Sequence, residues 1–142
     1  MNRKILYVDD EESILKGISL HLRKGFELYT AGSGDEALEV FEKEGPFAVV
    51  VSDMRMPGIA GATLLAKIKE RDSSTLTVLL TGHADFEFGG AAALNEGHLF
   101  RILTKPCPPE RLRQTLEEAL RQYDSEAGSA EGGGTVFDEP IA

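Results

Sequence analysis

Two patterns of apolar and polar residues alternate along this chain, short apolar runs and longer stretches with helical spacing. One run, Ala48–Val51, is followed by Ser52 and Asp53, and then by a Pro-Gly pair at positions 57 and 58. A short unbroken apolar run that ends in turn-forming residues is typical of a strand buried on both faces. The pattern therefore predicts a central strand with the carboxylate of Asp53 at its carboxyl end.

Similar patterns predict the remaining elements. The other predicted strands are Lys4–Val8, Phe26–Ala31, Leu76–Leu80 and Leu99–Thr104. Apolar residues spaced three and four apart predict helices over Glu11–Lys24, from Ser33 onward, over Gly61–Arg71, over Asp85–Glu96, and after Lys105-Pro106 as far as Tyr123. Because strands and helices alternate, we expect an α/β fold with five strands and five helices, in which helices cover both faces of a parallel sheet.

Local signals support several of these boundaries. Ser33 with Glu36 three residues later forms a capping-box pattern, and Gly25 is placed to close the first helix. Gly89-Gly90 weakens the predicted Asp85–Glu96 helix by about 1 kcal/mol per glycine relative to alanine. After Tyr123 the composition becomes rich in Gly, Ser and Glu. We therefore expect one domain over 1–123 and a disordered tail or truncated linker over 124–142.

Composition narrows the classes of function. The chain has 142 residues, enough for one domain, and a formal net charge of −9 with its basic residues scattered, which argues against a nucleic-acid surface. A single cysteine, Cys107, excludes an internal disulfide and a thiolate metal cluster. Acidic residues 9–12 end the first apolar run too early for a signal peptide or a membrane span. These features favour a cytoplasmic protein without a membrane partner.

Candidate chemistry concentrates at one predicted edge of the sheet. The loops after four strands carry Asp9-Asp10, Asp53, Thr81 and Lys105, and parallel strands bring such loops to the same edge. Taken singly, each of these residues more commonly has a structural role, as an N-cap, a turn carboxylate, a strand-end hydroxyl or a solvated charge. Together the carboxylates would repel each other, so the cluster calls for a cation, and Mg²⁺ suits such ligands.

Four segments carry a resemblance to a known family. Their order and spacing are similar to the signatures of two-component response-regulator receiver domains over Lys4–Tyr123, and the segments are Tyr7–Glu11, Ser52–Gly58, Leu80–His83 and Leu103–Pro106. The resemblance implies a flavodoxin-like, doubly wound parallel sheet of order 2-1-3-4-5 with five helices. The segment Leu103–Glu110 also resembles receivers fused to HD-type phosphohydrolase domains.

The resemblance implies roles for the acidic residues. Asp53 corresponds to the phosphoacceptor, a carboxylate nucleophile that takes a phosphoryl group from a phosphohistidine of a sensor histidine kinase. Asp10 would bind Mg²⁺ directly and Asp9 through water. Asp53 and the backbone carbonyl of Arg55 would complete the protein ligands of the metal.

It also implies roles for residues around the phosphoryl group. Lys105 would neutralise phosphoryl oxygens, and a cis Lys105–Pro106 bond would direct its ammonium into the site. Thr81 would bind a phosphoryl oxygen and so act as a switch. Ile102 stands where the family often has Tyr or Phe, and Phe100 lies two residues earlier, so we expect both on one sheet face as switch residues beside Thr81.

The expected output surface comprises the predicted Asp85–Glu96 helix, the fifth strand and the last helix, and its partner would be an output domain or a second copy. Two other functions stay open. An Mg²⁺-dependent aspartyl-nucleophile phosphatase uses similar groups, but usually places its nucleophile after the first strand. A degenerate receiver would be only a binding module, which the set Asp10, Asp53, Thr81 and Lys105 argues against. As a receiver the protein would not be an enzyme, because it supports only its own phosphorylation and dephosphorylation.

Overall fold

The computed structural model describes residues 2–82 and 99–128. Their strands and helices are β1 (Lys4–Val8), α1 (Glu12–Leu22), β2 (Glu27–Ala31), α2 (Gly34–Glu44), β3 (Val49–Asp53), α3 (Gly61–Arg71), β4 (Leu76–Thr81), β5 (Arg101–Thr104) and α4 (Pro109–Gly128). Four of the five predicted helices are therefore observed. The predicted Asp85–Glu96 helix lies outside the described residues.

All five strands form one parallel sheet of order β2-β1-β3-β4-β5. This confirms the α/β class and the strand order implied by the resemblance. β3 lies at the centre, and all five of its residues are buried, as its unbroken apolar run predicts. Asp53 is the last residue of β3, opposite Leu80 of β4. The carboxylate therefore lies at the carboxyl edge of the sheet.

Side chains alternate along the strands and divide the core into two clusters. The first, which we call the α2–α3 core, joins strand residues such as Val50, Leu79 and Ile102 to Phe41 of α2 and Leu65 of α3. The second, the α1–α4 core, contains Val49, Val51, Val78, Leu80 and Leu103 from the strands, Leu22 from α1, and Leu112, Leu116, Ala119 and Leu120 from α4. Each face of the sheet is thus covered by helices.

The end of α1 differs from its prediction. The helix stops at Leu22 rather than Lys24, and Gly25, two residues after the cap residue Arg23, lies in the left-handed region with φ +95°. Arg113 of α4 donates hydrogen bonds to the backbone carbonyls of His21 and Lys24. Carbonyl groups at the end of a helix need such partners, and here a distant arginine supplies them. The sequence around α1 alone carries no signal of this contact.

Other boundaries shift by one to five residues. β2 begins at Glu27 instead of Phe26, β4 includes Thr81, and β5 begins at Arg101 instead of Leu99. α4 continues beyond Tyr123 to Gly128. Within its last turns Gln122 donates a 2.7 Å hydrogen bond to Glu126. The change in composition after Tyr123 therefore does not end the helix, while the domain boundary at 123 stays a prediction.

No helix in the described part of the chain combines the length and the apolar character needed to cross a membrane.

The start of α2 carries the predicted cap. Ser33 Oγ accepts a 3.1 Å hydrogen bond from the Glu36 N–H, and Glu36 Oε1 accepts one of 2.8 Å from the Gly32 N–H. The carboxylate thus reaches one residue further back than in a standard capping box. Neither α1 nor α3 has a side-chain cap, and the N-cap position of α3 is Ala60.

We expect Ser33→Ala to lower the free energy of unfolding by about 1 kcal/mol, because it removes the only side-chain acceptor for the Glu36 N–H among the described contacts. The reverse change, Ala60→Ser, adds an acceptor where α3 has none and should raise stability. Urea denaturation followed by circular dichroism measures both. Equal stability of Ser33→Ala and the parent protein would show that the cap contributes nothing.

Candidate functional site

Asp53 is buried at the carboxyl edge of the sheet. It is 5% exposed, because it ends the central strand between β1 and β4. Main-chain hydrogen bonds continue past Asp53, since the Met54 N–H donates a 2.9 Å hydrogen bond to the Leu80 carbonyl. The backbone that carries this carboxylate is therefore part of the sheet ladder and is held more firmly than a loop residue would be.

Asp9, Asp10 and Asp53 form a cluster of carboxylates. One oxygen from each lies within 4.8 Å of the others. Asp9 and Asp53 are buried and Asp10 is exposed. Asp9 Oδ1 also accepts a 2.9 Å hydrogen bond from the Glu11 N–H, which fixes the turn into α1. Three carboxylate oxygens at this spacing, open to solvent at Asp10, are a ligand set suited to a hard divalent cation.

Electrostatic effects of the cluster appear in two neighbouring groups. Burial raises the pKa of Asp9 above its ordinary value of 3.8, the Glu11 N–H opposes this, and the charge of Asp53 raises the pKa further. Burial, followed by the charges of Asp9 and Asp53, also raises the pKa of Tyr7. Tyr7 therefore stays neutral at physiological pH. The buried carboxylates are an unfavourable arrangement unless positive charge is present.

Lys105 supplies positive charge from β5's carboxyl end. Its Nζ lies 2.7 Å from Asp53 Oδ1, as an ion pair. That contact lacks the alignment of a hydrogen bond, and Oδ1 has no hydrogen-bond partner among the residues that the structure describes. The Lys105 N–H donates 2.9 Å to the Thr81 carbonyl, and the Lys105–Pro106 bond is cis, as predicted. The ion pair thus keeps the Lys105 ammonium beside the carboxylate that ends β3.

Thr81 is the last residue of β4 and is fully buried. It follows Leu80, the register partner of Asp53, and its hydroxyl donates a 3.2 Å hydrogen bond to the neighbouring Gly82 carbonyl. Leu79 belongs to the α2–α3 core and Leu80 to the α1–α4 core, so alternation places Thr81 on the α2–α3 side. The hydroxyl therefore lies on the strand adjacent to the carboxylate, with a weak local acceptor.

The loop from β3 to α3 carries Arg55, the predicted carbonyl ligand. Met54 and Met56 on either side are 5% and 9% exposed and belong to the α2–α3 core, whereas Arg55 is exposed. The Met54 carbonyl accepts a 2.9 Å hydrogen bond from the Gly61 N–H, so it is engaged within the protein. Two buried methionines thus hold the Arg55 backbone, and the ligand role of its carbonyl stays a prediction.

The prediction that Ile102 and Phe100 lie on the same face of the sheet is wrong. Ile102 is 4% exposed and lies in the α2–α3 core, opposite Leu79 in the register. Phe100 packs against the α1–α4 core, with the Arg101 guanidinium 4.3 Å from its ring centroid. Position 100 precedes β5, so the strand alternation that relates side chains two residues apart does not extend to it. Only Ile102 shares a sheet face with Thr81.

Three residues near Asp53 were not anticipated from the sequence. Tyr7 is buried beside the carboxylates, Ser52 Oγ donates 2.9 Å to the Asp53 carbonyl, and Gly61 approaches the same carbonyl. A tyrosine two residues before Asp9 in an apolar strand was the available signal for the first. Ser52 and Gly61 act through main-chain contacts, which residue type and spacing do not reveal.

Comparison with known proteins agrees with this geometry. Residues 5–117 match the response regulator receiver domain family. The transcriptional regulatory protein GlrR of Escherichia coli (strain K12) is 34% identical over 119 residues, which cover 83% of this chain and 26% of GlrR. The chain thus spans 24 to 26% of the length of curated relatives such as HoxA of Cupriavidus necator and GlrR.

Two solved structures are similar over most of the chain. The adenylate cyclase structure from Rhodopirellula baltica is 36% identical with a TM-score of 0.86, and the match covers 92% of this chain and 96% of that one. The signal receiver domain of an HD domain-containing protein from Pseudomonas fluorescens Pf-5 is 33% identical with a TM-score of 0.80, covering 88% and 99%. Strand order, acidic cluster and family match lead to one conclusion: this chain belongs to the response regulator receiver domain family.

Proposed function

We propose that Asp53 accepts a phosphoryl group from a phosphohistidine of a sensor kinase, and that the domain then signals to a partner. The observation that carries the proposal is the buried Asp53 carboxylate, whose Oδ1 lies 2.7 Å from Lys105 Nζ, beside the carboxylates of Asp9 and Asp10. A carboxylate serves as the nucleophile in such transfers, and a neighbouring cation lowers the cost of bringing an anionic phosphoryl group to it.

Mg²⁺ fits the donor set beside Asp53. Asp9, Asp10 and Asp53 provide oxygen ligands within 4.8 Å of one another, and the pair of carboxylates buried there repel each other without added positive charge. The Arg55 carbonyl is the proposed fourth protein ligand. When bound, the ion would neutralise the carboxylates and the phosphoryl oxygens.

The transfer step uses this chain's own carboxylate. One Asp53 oxygen attacks phosphorus and forms an acyl-phosphate P–O bond, while the P–N bond to the kinase imidazole breaks. The electron pair of that bond stays on the imidazole nitrogen, and the ring leaves as neutral imidazole because its other nitrogen carries a proton. Lys105 balances negative charge on the phosphoryl oxygens, and the Thr81 hydroxyl exchanges its Gly82 acceptor for one of them.

Two other functions predict different chemistry from the same residues. A phosphatase of this class usually places its nucleophile after the first strand, whereas Asp53 ends β3. A degenerate binding module would not need Lys105 within ion-pair distance of Asp53. The receiver function accounts for both features, and with it we propose a cytoplasmic location, where a kinase of this class phosphorylates its partners.

The output surface is proposed to include β5, α4 and the predicted Asp85–Glu96 helix. Thr81 and Ile102 lie on the same face of adjacent strands, so movement of Thr81 toward a phosphoryl oxygen changes the space beside Ile102. Phe100, on the opposite face, is no longer part of the proposed switch. A second copy of the chain or an output domain would bind the altered surface.

Incubation with acetyl phosphate and Mg²⁺, followed by intact mass measurement, tests the phosphoacceptor. The parent protein should gain one phosphoryl group, and Asp53→Asn should gain none because the nucleophile is gone. Asp35→Asn, which neutralises an exposed carboxylate in α2, is the matched control and should react as the parent does. An adduct on Asp53→Asn would refute the assignment. Steady phosphate release would favour the phosphatase, and an unmodified parent protein the degenerate module.

The raised pKa of Asp9 predicts a pH-dependent stability. Because the folded-state pKa lies above 3.8, ionisation of Asp9 costs stability once the pH exceeds that range, and the cost disappears below 3.8. Asp9→Asn can keep the acceptor for the Glu11 N–H. In metal-free buffer at pH 7 it should raise the free energy of unfolding, because the cost of ionising a buried carboxyl at position 9 is removed. This advantage should shrink as the pH falls toward 3.8.

Added Mg²⁺ should reverse that order, because it stabilises the parent by binding the folded state and binds Asp9→Asn less well. Thermal melts with and without Mg²⁺ measure both effects, and Asp35→Asn again serves as the control. A parent protein that is more stable than Asp9→Asn in metal-free buffer at pH 7 would contradict the repulsive cluster.

A pair of matched truncations tests the switch. Ile102→Val and Leu103→Val each remove one methylene from a buried side chain, but only Ile102 lies on the side of Thr81. Hydrogen exchange with and without beryllofluoride should show the largest change in the predicted Asp85–Glu96 helix. Ile102→Val should diminish that change, and Leu103→Val should preserve it. Identical responses of the two variants would remove Ile102 from the switch.

A further inference from the structure

Gly61, the first residue of α3, lies directly against the backbone of Asp53. A Cβ atom at this position would overlap the Asp53 carbonyl oxygen and would come within 2.9 Å of the Asp53 carbonyl carbon and of Met54 Cα. These are backbone atoms of the central strand, so they cannot rotate away as a side chain could. Glycine is therefore required here by the close approach of helix and strand.

Ser52 holds the same carbonyl from another side. Its hydroxyl is fully buried and donates a 2.9 Å hydrogen bond to the Asp53 carbonyl oxygen. The N–H of the same peptide group, that of Met54, donates to the Leu80 carbonyl, and the carbonyl of the next peptide group, also of Met54, accepts from the Gly61 N–H, each at 2.9 Å. The peptide group between Asp53 and Met54 thus has contacts from β3 itself, β4 and α3.

We propose that Gly61 and Ser52 are positioning residues for the phosphoacceptor: they hold the Asp53 main chain so that its carboxylate stays beside Lys105 and Asp9. This proposal rests on the phosphoryl transfer proposed above and names residues that set its geometry. Neither residue belongs to the metal ligands or to the groups that contact the phosphoryl group. Displacement of a reacting group by about 1 Å can cost about 100-fold in rate, so a small shift of this peptide should be measurable.

Two other glycines provide controls. Gly34 opens α2 as Gly61 opens α3, but a Cβ there would meet only the Ile59 side chain, at 2.8 Å. Gly17 lies within α1, and a Cβ there would meet nothing within 4 Å. Gly17→Ala should therefore stabilise the protein through helix propensity, without reaching the site.

The main test compares Gly61→Ala, made in the Gly17→Ala background, with Gly17→Ala alone and with Gly34→Ala. The background offsets part of the lost stability, and Gly34→Ala reports what crowding at a helix start does by itself. With acetyl phosphate and saturating Mg²⁺, Gly61→Ala should lower the maximal phosphorylation rate about 100-fold and leave the half-saturating acetyl phosphate concentration unchanged. Loss of rate only in proportion to unfolded protein in the thermal melt would overturn the proposal.

A gentler pair isolates the hydroxyl of Ser52. The side chains of threonine and valine have nearly the same shape, but only threonine has a hydroxyl to donate to the Asp53 carbonyl. Without this hydrogen bond the Asp53 peptide is held less firmly, so Ser52→Val should be phosphorylated more slowly than Ser52→Thr, by less than the ~100-fold expected for a displacement of about 1 Å. Equal maximal rates would overturn the role of Ser52, and this pair also covers the case in which Gly61→Ala does not fold.

One readout does not depend on phosphoryl transfer. Displacement of the Asp53–Met54 peptide weakens the Met54 N–H bond to Leu80, so the Met54 amide should exchange faster in Gly61→Ala than in Gly34→Ala. A parent protein that takes up no phosphoryl group would refute the proposed function, and this exchange rate would still decide the positioning. Unchanged Met54 exchange in Gly61→Ala would overturn it, whatever the parent protein does with acetyl phosphate.

Discussion

The site depends on keeping like charges close together at the carboxyl edge of the sheet. Asp9 and Asp53 are both buried with oxygens within 4.8 Å of each other. At an effective dielectric constant of about 20, two such charges repel by roughly 3 kcal/mol, a large fraction of the stability of a small domain. Lys105, 2.7 Å from Asp53, offsets part of this. The remaining imbalance is the physical basis of the cation site and the phosphoryl acceptor that we propose.

Because these carboxylates repel each other, the backbone that carries them has to hold them in place. Carboxylates on flexible loops would move apart, but Asp53 belongs to the central strand and Asp9 follows β1 directly, with its N–H donating to Ala31 of β2. The folding energy of the two cores, one on each face of the sheet, therefore holds the acidic residues in place. The close placement of the two carboxylates lowers stability but serves the proposed function. Such a conflict is common at active sites, where charged groups are placed for chemistry rather than for favourable contacts.

Patterns local in sequence predicted most of the fold. The unbroken apolar run of β3, the Ser33 cap and the spacing of apolar residues in α3 were sufficient, because each reflects an interaction within a few residues. The predictions were less accurate where distant residues intervene. α1 ends early, where Arg113 of α4 donates hydrogen bonds to the carbonyls of His21 and Lys24. Phe100 lies outside β5 and on the opposite face of the sheet from Ile102. The acidic cluster was predictable because parallel strands bring their carboxyl ends together, whereas the contact of Gly61 with Asp53 depends on helix packing.

Several separate contacts restrain the loop between β3 and α3, which carries Arg55. Met54 and Met56 anchor it in the α2–α3 core, and Gly58 takes a φ of +81° that favours glycine. Each contact by itself is an ordinary packing detail. Since together they restrain the backbone on both sides of Arg55, the position of the carbonyl that we propose as a metal ligand is set by the core of the domain. The packing of α2 and α3 is thereby linked to the geometry of the site proposed around Asp53.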